Sequence, residues 1–94
     1  MNNQDDLLYI FSKNLKYYRI KNNLTQSELA EKLDLTDKYI SELERGRYYV
    51  SLQVIDTLSK IFNIPAYLLI KYDETHLNAP IRLDKYTGTR RNKN

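Results

Sequence analysis

The chain has 94 residues, which is room for one domain. Its 15 Lys and Arg against 12 Asp and Glu give a formal net charge of +3 at pH 7, and it contains no cysteine. The lack of cysteine excludes disulfides, thiol catalysis and Cys-ligated metal sites, and no apolar run reaches the roughly 20 residues that span a bilayer. Residues 1–6 are polar and acidic, unlike the basic start of a signal peptide. We therefore expect a soluble cytoplasmic protein without membrane contacts.

The positive charge lies at the C-terminal end of the chain. Residues 71–94 contain six Lys or Arg and three Asp or Glu, so the nine basic and nine acidic residues of the first 70 positions balance. A nucleic-acid site in those 70 residues would have to be a local basic patch.

Hydrophobic residues at helical spacing predict an all-α protein, and only two Gly and two Pro interrupt the chain. In the first helix Leu8, Phe11, Leu15 and Tyr18 share one face. Capping residues and five-residue hydrophobic staples mark the later helix starts. The predicted helices span about 5–22, 26–33, 37–45, 52–62 and 66–71.

The helix ends are predicted from individual residues. Thr25 and Glu28 form a capping box at the start of the second helix, and Thr36 and Ser51 are N-caps for the third and fourth. Asn22 or Asn23 suits a left-handed C-cap after the first helix, and Gly46 suits the end of the third. Pro65 is either a poor cap or the first residue of the fifth helix.

Residues 72–94 are predicted to form a tail, basic at its end, after a domain of residues 1–71. A short extended piece is expected at Ile81-Arg82-Leu83. The tail has three candidate roles: a dimerisation element, an arm on DNA, or a segment that binds another protein.

The segment 25–47, TQSELAEKLDLTDKYISELERGR, places two short helices around a three-residue turn. Ala30 is small where the two helices would cross. This segment resembles the helix-turn-helix of the phage-repressor/Cro family, and the resemblance extends from Leu15 to Ile70. Asp34 departs from the glycine that this family usually has in the turn, but Asp tolerates the left-handed region better than most residues. The resemblance implies a compact five-helix bundle that binds DNA.

The resemblance also implies which side chains meet DNA. With Ile40 and Leu43 turned inward, helix 37–45 would lie in the major groove and present its outer face to the bases. The base-contacting candidates are Asp37, Lys38, Ser41 and Glu42, with Lys38 suited to guanine and the two acids to cytosine. The candidates for contacts to the DNA backbone are Gln26, Thr36, Tyr39, Arg45, Arg47 and Tyr48, and Tyr39 could instead reach a thymine methyl.

Arg19 and Glu44 have a structural role by the same resemblance. Glu44 points to the inner side of its helix, where an unpaired carboxylate is unfavourable. Pairing with Arg19 would fix the first helix against the third.

The function that follows is a transcription regulator, and we expect a repressor, that binds a pseudo-palindromic operator in double-stranded DNA as a homodimer. Tyr67, Leu68 and Ile70 are the predicted dimer interface, since so short a helix cannot turn all of them inward. The alternative is that Leu68 and Ile70 complete the monomer's own core, which would leave a dimer that forms only on DNA.

Two other classes of function remain to be compared. An enzyme is disfavoured because His76 is the sole histidine and lies in the tail, and the pair Glu28 and Glu31 is a solvated surface pair with Glu28 in the capping box. No metal or other cofactor is expected. The open alternative is the antitoxin of a toxin–antitoxin pair, whose tail would bind a toxin while the helix-turn-helix represses its own promoter.

Overall fold

The protein's structure, a computed structural model, describes residues 6–77, which form helices and no strand. This confirms the all-α class and the helix-turn-helix. None of the helices in this range is long and apolar enough to cross a membrane. The helices are α1 Leu7–Lys21, α2 Gln26–Leu33, α3 Asp37–Glu44, α4 Leu52–Phe62, the 3₁₀ helix η1 Ala66–Leu69 and α5 Glu74–Leu77.

Side-chain caps fix the starts of the first four helices. The predicted capping box is present, with the Glu28 amide donating to Thr25 Oγ1 at 3.0 Å and the Thr25 amide donating to Glu28 Oε1 at 2.9 Å. Thr36 and Ser51 cap α3 and α4 as predicted. Asp6, expected inside the first turn, instead caps α1 by accepting from the Leu8 amide at 3.0 Å. The helix therefore begins at Leu7 rather than at residue 5.

Residues in the left-handed conformation end three of these helices. Asn23 follows α1 with φ 62°, Asp34 follows α2 with φ 59° and Asn63 follows α4 with φ 57°. Gly46 has φ 74° after α3. Asn and Asp accept this conformation because their short polar side chains bond locally to the backbone.

The core joins α1 to the helix-turn-helix and to η1. Ala30 on α2 is 2% exposed and belongs to this core. Burial of these side chains is the main source of stability. The hydrophobic residues with 0% exposure are Leu15, Leu29, Ile40, Leu43, Leu58 and Leu69.

The segment after α4 differs from the prediction. The expected helix over 66–71 is the short 3₁₀ helix Ala66–Leu69, and Pro65 lies just before it in an extended conformation without a side-chain cap. Ile70, with φ −118°, has already left the helix.

Helix α5 lies where only a tail was expected. Asp73 starts it by accepting from the Thr75 amide at 3.0 Å, and His76 is 7% exposed against α1. Its ring stacks on Tyr17 with centroids 3.6 Å apart, and Nδ1 lies 2.8 Å from Asn14 Oδ1. The proposed extended piece at 81–83 lies outside the described residues, and the domain boundary at 71 stays a prediction.

Candidate nucleic-acid interface

The turn between α2 and α3 sets how the two helices meet. It consists of Asp34, Leu35 and Thr36, and the Leu35 amide donates to the Ala30 carbonyl at 2.8 Å. Asp34 takes the left-handed conformation that a glycine would adopt without strain. The turn thus keeps its left-handed geometry with an aspartate in place of the glycine.

The structure brings Arg19 and Glu44 together in the interior. Arg19 Nε lies 2.6 Å from Glu44 Oε2, and Arg19 Nη2 lies 3.1 Å from Glu44 Oε1. The two residues are 1% and 8% exposed. Arg19 Nη1 also donates to the Leu24 carbonyl at 2.9 Å. This bidentate pair ties α3 to α1 and to the start of α2.

Gln26 belongs to the same network. Its Nε2 donates to Glu44 Oε1 at 3.1 Å, so the side chain expected to hold a phosphate is oriented by a buried carboxylate. Gln26 is half-buried, and its second amide hydrogen and its carbonyl oxygen are available for a further contact. Thr36, also assigned to a phosphate, accepts the Tyr39 amide at 3.1 Å and is exposed.

The outer face of α3 carries the candidates for base contacts. Lys38 is exposed and makes no ion pair or hydrogen bond with any residue between 6 and 77. Asp37 is exposed too, but its Oδ2 accepts from the Ser27 hydroxyl at 3.1 Å, which links α3 to α2. Ser41 and Glu42 are half-buried. Lys38 is therefore the side chain on this face with the most freedom to reach a ligand.

Two arginines follow α3 and lie against Glu42. Arg45 Nη1 is 3.6 Å from Glu42 Oε2, and Arg47 Nε is 3.4 Å from Glu42 Oε1. Both arginine side chains are about 60% exposed, while that of Glu42 is 16% exposed. Arg45 and Arg47, two of the residues predicted to contact phosphates, thus form one cluster with Glu42, which was predicted to contact a base.

Two aromatic side chains near the end of the helix-turn-helix pack together, a contact that no local sequence pattern predicts. Tyr39 on α3 and Tyr48 in the following loop stack with centroids 5.9 Å apart and an interplanar angle of 18°. Tyr48 is half exposed. The stack packs the loop against α3.

The predicted dimer interface is partly exposed. Tyr67 is 63% and Ile70 43% exposed, whereas Leu68 is half-buried against the core. Ile70 also lines an apolar groove of about 180 Å³. Leu7, Tyr49 and Leu52 border this groove with much of their surface exposed. Sequence periodicity had not marked Leu7 or Tyr49, which lie at a helix start and in a loop, whereas Leu52 belongs to the apolar stripe predicted for the fourth helix and is exposed instead.

Comparisons with known proteins give matches that extend from α1 to η1. Residues 15–69 match the family model for helix-turn-helix proteins. The chain is 37% identical over 60 residues to an uncharacterised HTH-type transcriptional regulator of Methanocaldococcus jannaschii, a match that spans 64% of this chain and 91% of that protein. It is 34% identical over 61 residues to the control protein C.BamHI of Bacillus amyloliquefaciens, spanning 64% of this chain and 75% of that protein.

A solved structure has the same fold. The crystal structure of the hypothetical transcription factor NHTF from Neisseria superposes with a TM-score of 0.70 at 26% identity. The superposition covers 82% of this chain and 88% of that one. The likeness therefore extends beyond the two helices of the motif to the whole bundle.

Proposed function

Since the chain belongs to the helix-turn-helix family of transcriptional regulators, we propose that it binds double-stranded DNA at a specific sequence, with α3 in the major groove. The observation that carries this proposal is the exposed polar face of α3 around Lys38, held in place from behind by the Gln26–Glu44–Arg19 network. A rigid helix with a free polar face is what base reading requires, because base contacts need fixed geometry.

In this proposal base contacts and phosphate contacts come from different residues. Lys38 donates to guanine O6 or N7, Asp37 or Glu42 accepts from cytosine N4, and Ser41 contacts whichever base is near. The phosphates are held around the ends of α2 and α3, which fixes the position of the protein without reading sequence. The phosphate-contacting residues proposed are Gln26, Thr36, Tyr39, Arg45, Arg47 and Tyr48.

We propose further that two copies act together. One recognition helix covers too few base pairs to define a site in a genome, and a two-fold dimer places two helices about 34 Å apart on one side of the DNA. The exposure of Tyr67 and Ile70 supports the predicted interface with Leu68. Tyr67 lies in η1 and Ile70 directly follows this helix, and Ile70 lines the groove that Leu52 borders.

The regulatory outcome proposed is repression. A dimer bound across a promoter blocks polymerase by occupying the same DNA, and this needs no catalytic group or cofactor. The relatives named above come from bacteria and archaea, whose DNA lies in the cytoplasm, so the proposal places the protein there.

Selection of bound duplexes from a random DNA pool tests this function. We expect an enriched inverted repeat whose half-sites are one helical turn apart, and a steep loss of affinity with salt as phosphate contacts release counterions. A pool that shows no enrichment would contradict sequence-specific binding. A small protein that co-purifies through residues 78–94, and changes promoter affinity, would instead support the antitoxin function.

A further inference from the structure

The chain after α3 folds back on the last turn of the helix, and Glu42 receives two of the backbone hydrogen bonds. The Glu42 carbonyl accepts from the Arg45 amide at 3.2 Å and from the Arg47 amide at 3.1 Å. Gly46 makes this reversal possible, because its φ of 74° is a conformation that other residues adopt only with strain. The backbone alone therefore holds both arginines beside Glu42.

The Glu42 side chain lies against the same two residues. Its two carboxylate oxygens are 3.6 Å from Arg45 Nη1 and 3.4 Å from Arg47 Nε. These separations are longer than the 2.6 Å of the buried pair between Arg19 and Glu44. The contacts at Glu42 are long ion pairs whose arginine partners are exposed to water, so another anion can bind these arginines in place of the carboxylate at a modest free-energy cost.

A DNA phosphate is the anion that suits this position. Guanidinium groups bind carboxylates and phosphates through the same planar set of N–H donors. Arg45 and Arg47 are both more than half exposed, and they extend from the end of the helix that we place in the major groove. Phosphate and the Glu42 carboxylate would thus compete for the same donors.

We propose that Glu42 is a built-in competitor for DNA phosphate that lowers the affinity of the protein for every duplex alike. This inference rests on the proposed function and assigns Glu42 a role other than the base contact expected from the sequence. In the free protein the carboxylate partly neutralises both arginines, and on binding it is displaced by phosphate. Because Glu42 lowers the affinity for all DNA sequences equally, discrimination between sequences depends on the base contacts, above all on that of Lys38.

Replacement of Glu42 by Gln tests the role. The side chain keeps its shape and the backbone bonds to Arg45 and Arg47 remain, so the loop should keep its fold. We expect affinity for the selected site and for a scrambled duplex to rise together, by about 3- to 10-fold at low salt. The plot of log affinity against log salt should become steeper by up to about one. Fluorescence anisotropy with both duplexes gives these values.

Two further variants distinguish competition for the arginines from a general effect of removing a negative charge. Asp56→Asn removes a carboxylate that pairs with Lys60 on α4 rather than with an arginine, and it should give a smaller general gain. In a background of Arg45→Gln with Arg47→Gln, the Glu42→Gln change should have no effect. An unchanged affinity in Glu42→Gln, a gain that persists without the arginines, or a loss at one base pair only would overturn the inference. If the wild-type protein binds no duplex at low salt, the proposed function itself fails.

Discussion

The pair of Arg19 and Glu44 shows how one buried contact ties α3 to α1. Both side chains are almost completely buried, and taking two charges out of water is unfavourable unless they are fully hydrogen-bonded. Here Arg19 makes bonds to both carboxylate oxygens and to the Leu24 carbonyl. The charged groups of both residues are therefore hydrogen-bonded, and the contribution of the pair to stability depends on both partners being present.

Arg19→Ala is therefore expected to lower the free energy of unfolding by about 3–5 kcal/mol, because it leaves Glu44 charged and buried. Urea denaturation measures this change. The matched control is Lys60→Ala, which breaks the exposed pair with Asp56 at 3.1 Å and should change stability by less than about 1 kcal/mol. If Arg19→Ala is no more destabilising than Lys60→Ala, the buried pair does not have this role.

Individual residues also show what a sequence can and cannot reveal. The capping box of Thr25 and Glu28 could be predicted because both partners lie within one turn of helix. The contacts of Glu42 could not, since they depend on how Gly46 redirects the chain. The Tyr39–Tyr48 stack likewise needs the loop path, which no local pattern specifies.

At the scale of elements, α5 is the helix that the sequence did not predict. It has four residues, too few for a hydrophobic period to be visible. Its position depends on one side chain, His76, which lies between Tyr17, Asn14 and Asp73. Nδ1 lies beside Asn14 Oδ1, and Nε2 is 3.4 Å from Asp73 Oδ2.

The docking of α5 is expected to weaken in acid. Burial lowers the pKa of His76 below its usual 6.5, and Lys21 and Lys71 lower it further, while Asp73 opposes them. The folded protein thus binds this proton less readily than the unfolded chain does. The stability that the neutral ring contributes is present above about pH 6.5 and is lost as the pH falls below it.

Thermal melts between pH 7.5 and 5.5 check this expectation, with His76→Gln as the comparison. The wild-type melting temperature should fall across this range, and the variant should lose most of that fall because it has no titrating ring. The lowered pKa of Asp73, which arises mainly from its hydrogen bond with Thr75, puts that carboxyl's titration at lower pH. A variant with the full wild-type pH dependence would show that His76 is not the responsible group.

The other helices could be predicted from the sequence because their capping residues and their hydrophobic spacing indicate the same helix starts. Helices α2, α3 and α4 begin at the predicted residues, since each has a Thr or Ser cap immediately before an apolar period. Prediction failed where helices become short, at η1 and α5, because there tertiary contacts rather than local preference decide the backbone.

At the scale of the whole molecule, the apolar residues left at the surface form the basis for the proposed dimer. Leu52 is 82% exposed and Tyr49 72% exposed, an unusual degree of exposure for large apolar side chains in neighbouring positions. Both border the groove that Ile70 lines. A patch with protruding side chains next to a groove can pair with its own copy about a two-fold axis.

We expect Tyr67→Asp with Ile70→Asp, and separately Leu52→Asp, to convert the dimer to a monomer in sedimentation equilibrium, because each places a charge in an apolar interface. Gln53→Asp is the control for Leu52→Asp. It adds the same charge to the first turn of α4, where the helix dipole tolerates it, and should leave the mass unchanged. A dimer mass that survives both changes would place the interface elsewhere.

The central proposal is that α3 reads bases through Lys38 while Arg45 and Arg47 hold phosphates. The most direct measurement compares the DNA sequences selected by the wild type, Lys38→Ala and Arg47→Ala, with affinities for the winning site. We predict that Lys38→Ala relaxes the preference at one base pair in each half-site, at about 1–3 kcal/mol, and that Arg47→Ala weakens all sequences equally and reduces the salt slope by about one. Identical selected sequences for the wild type and Lys38→Ala, with only a uniform loss of affinity, would contradict the placement of this face of α3 against the bases.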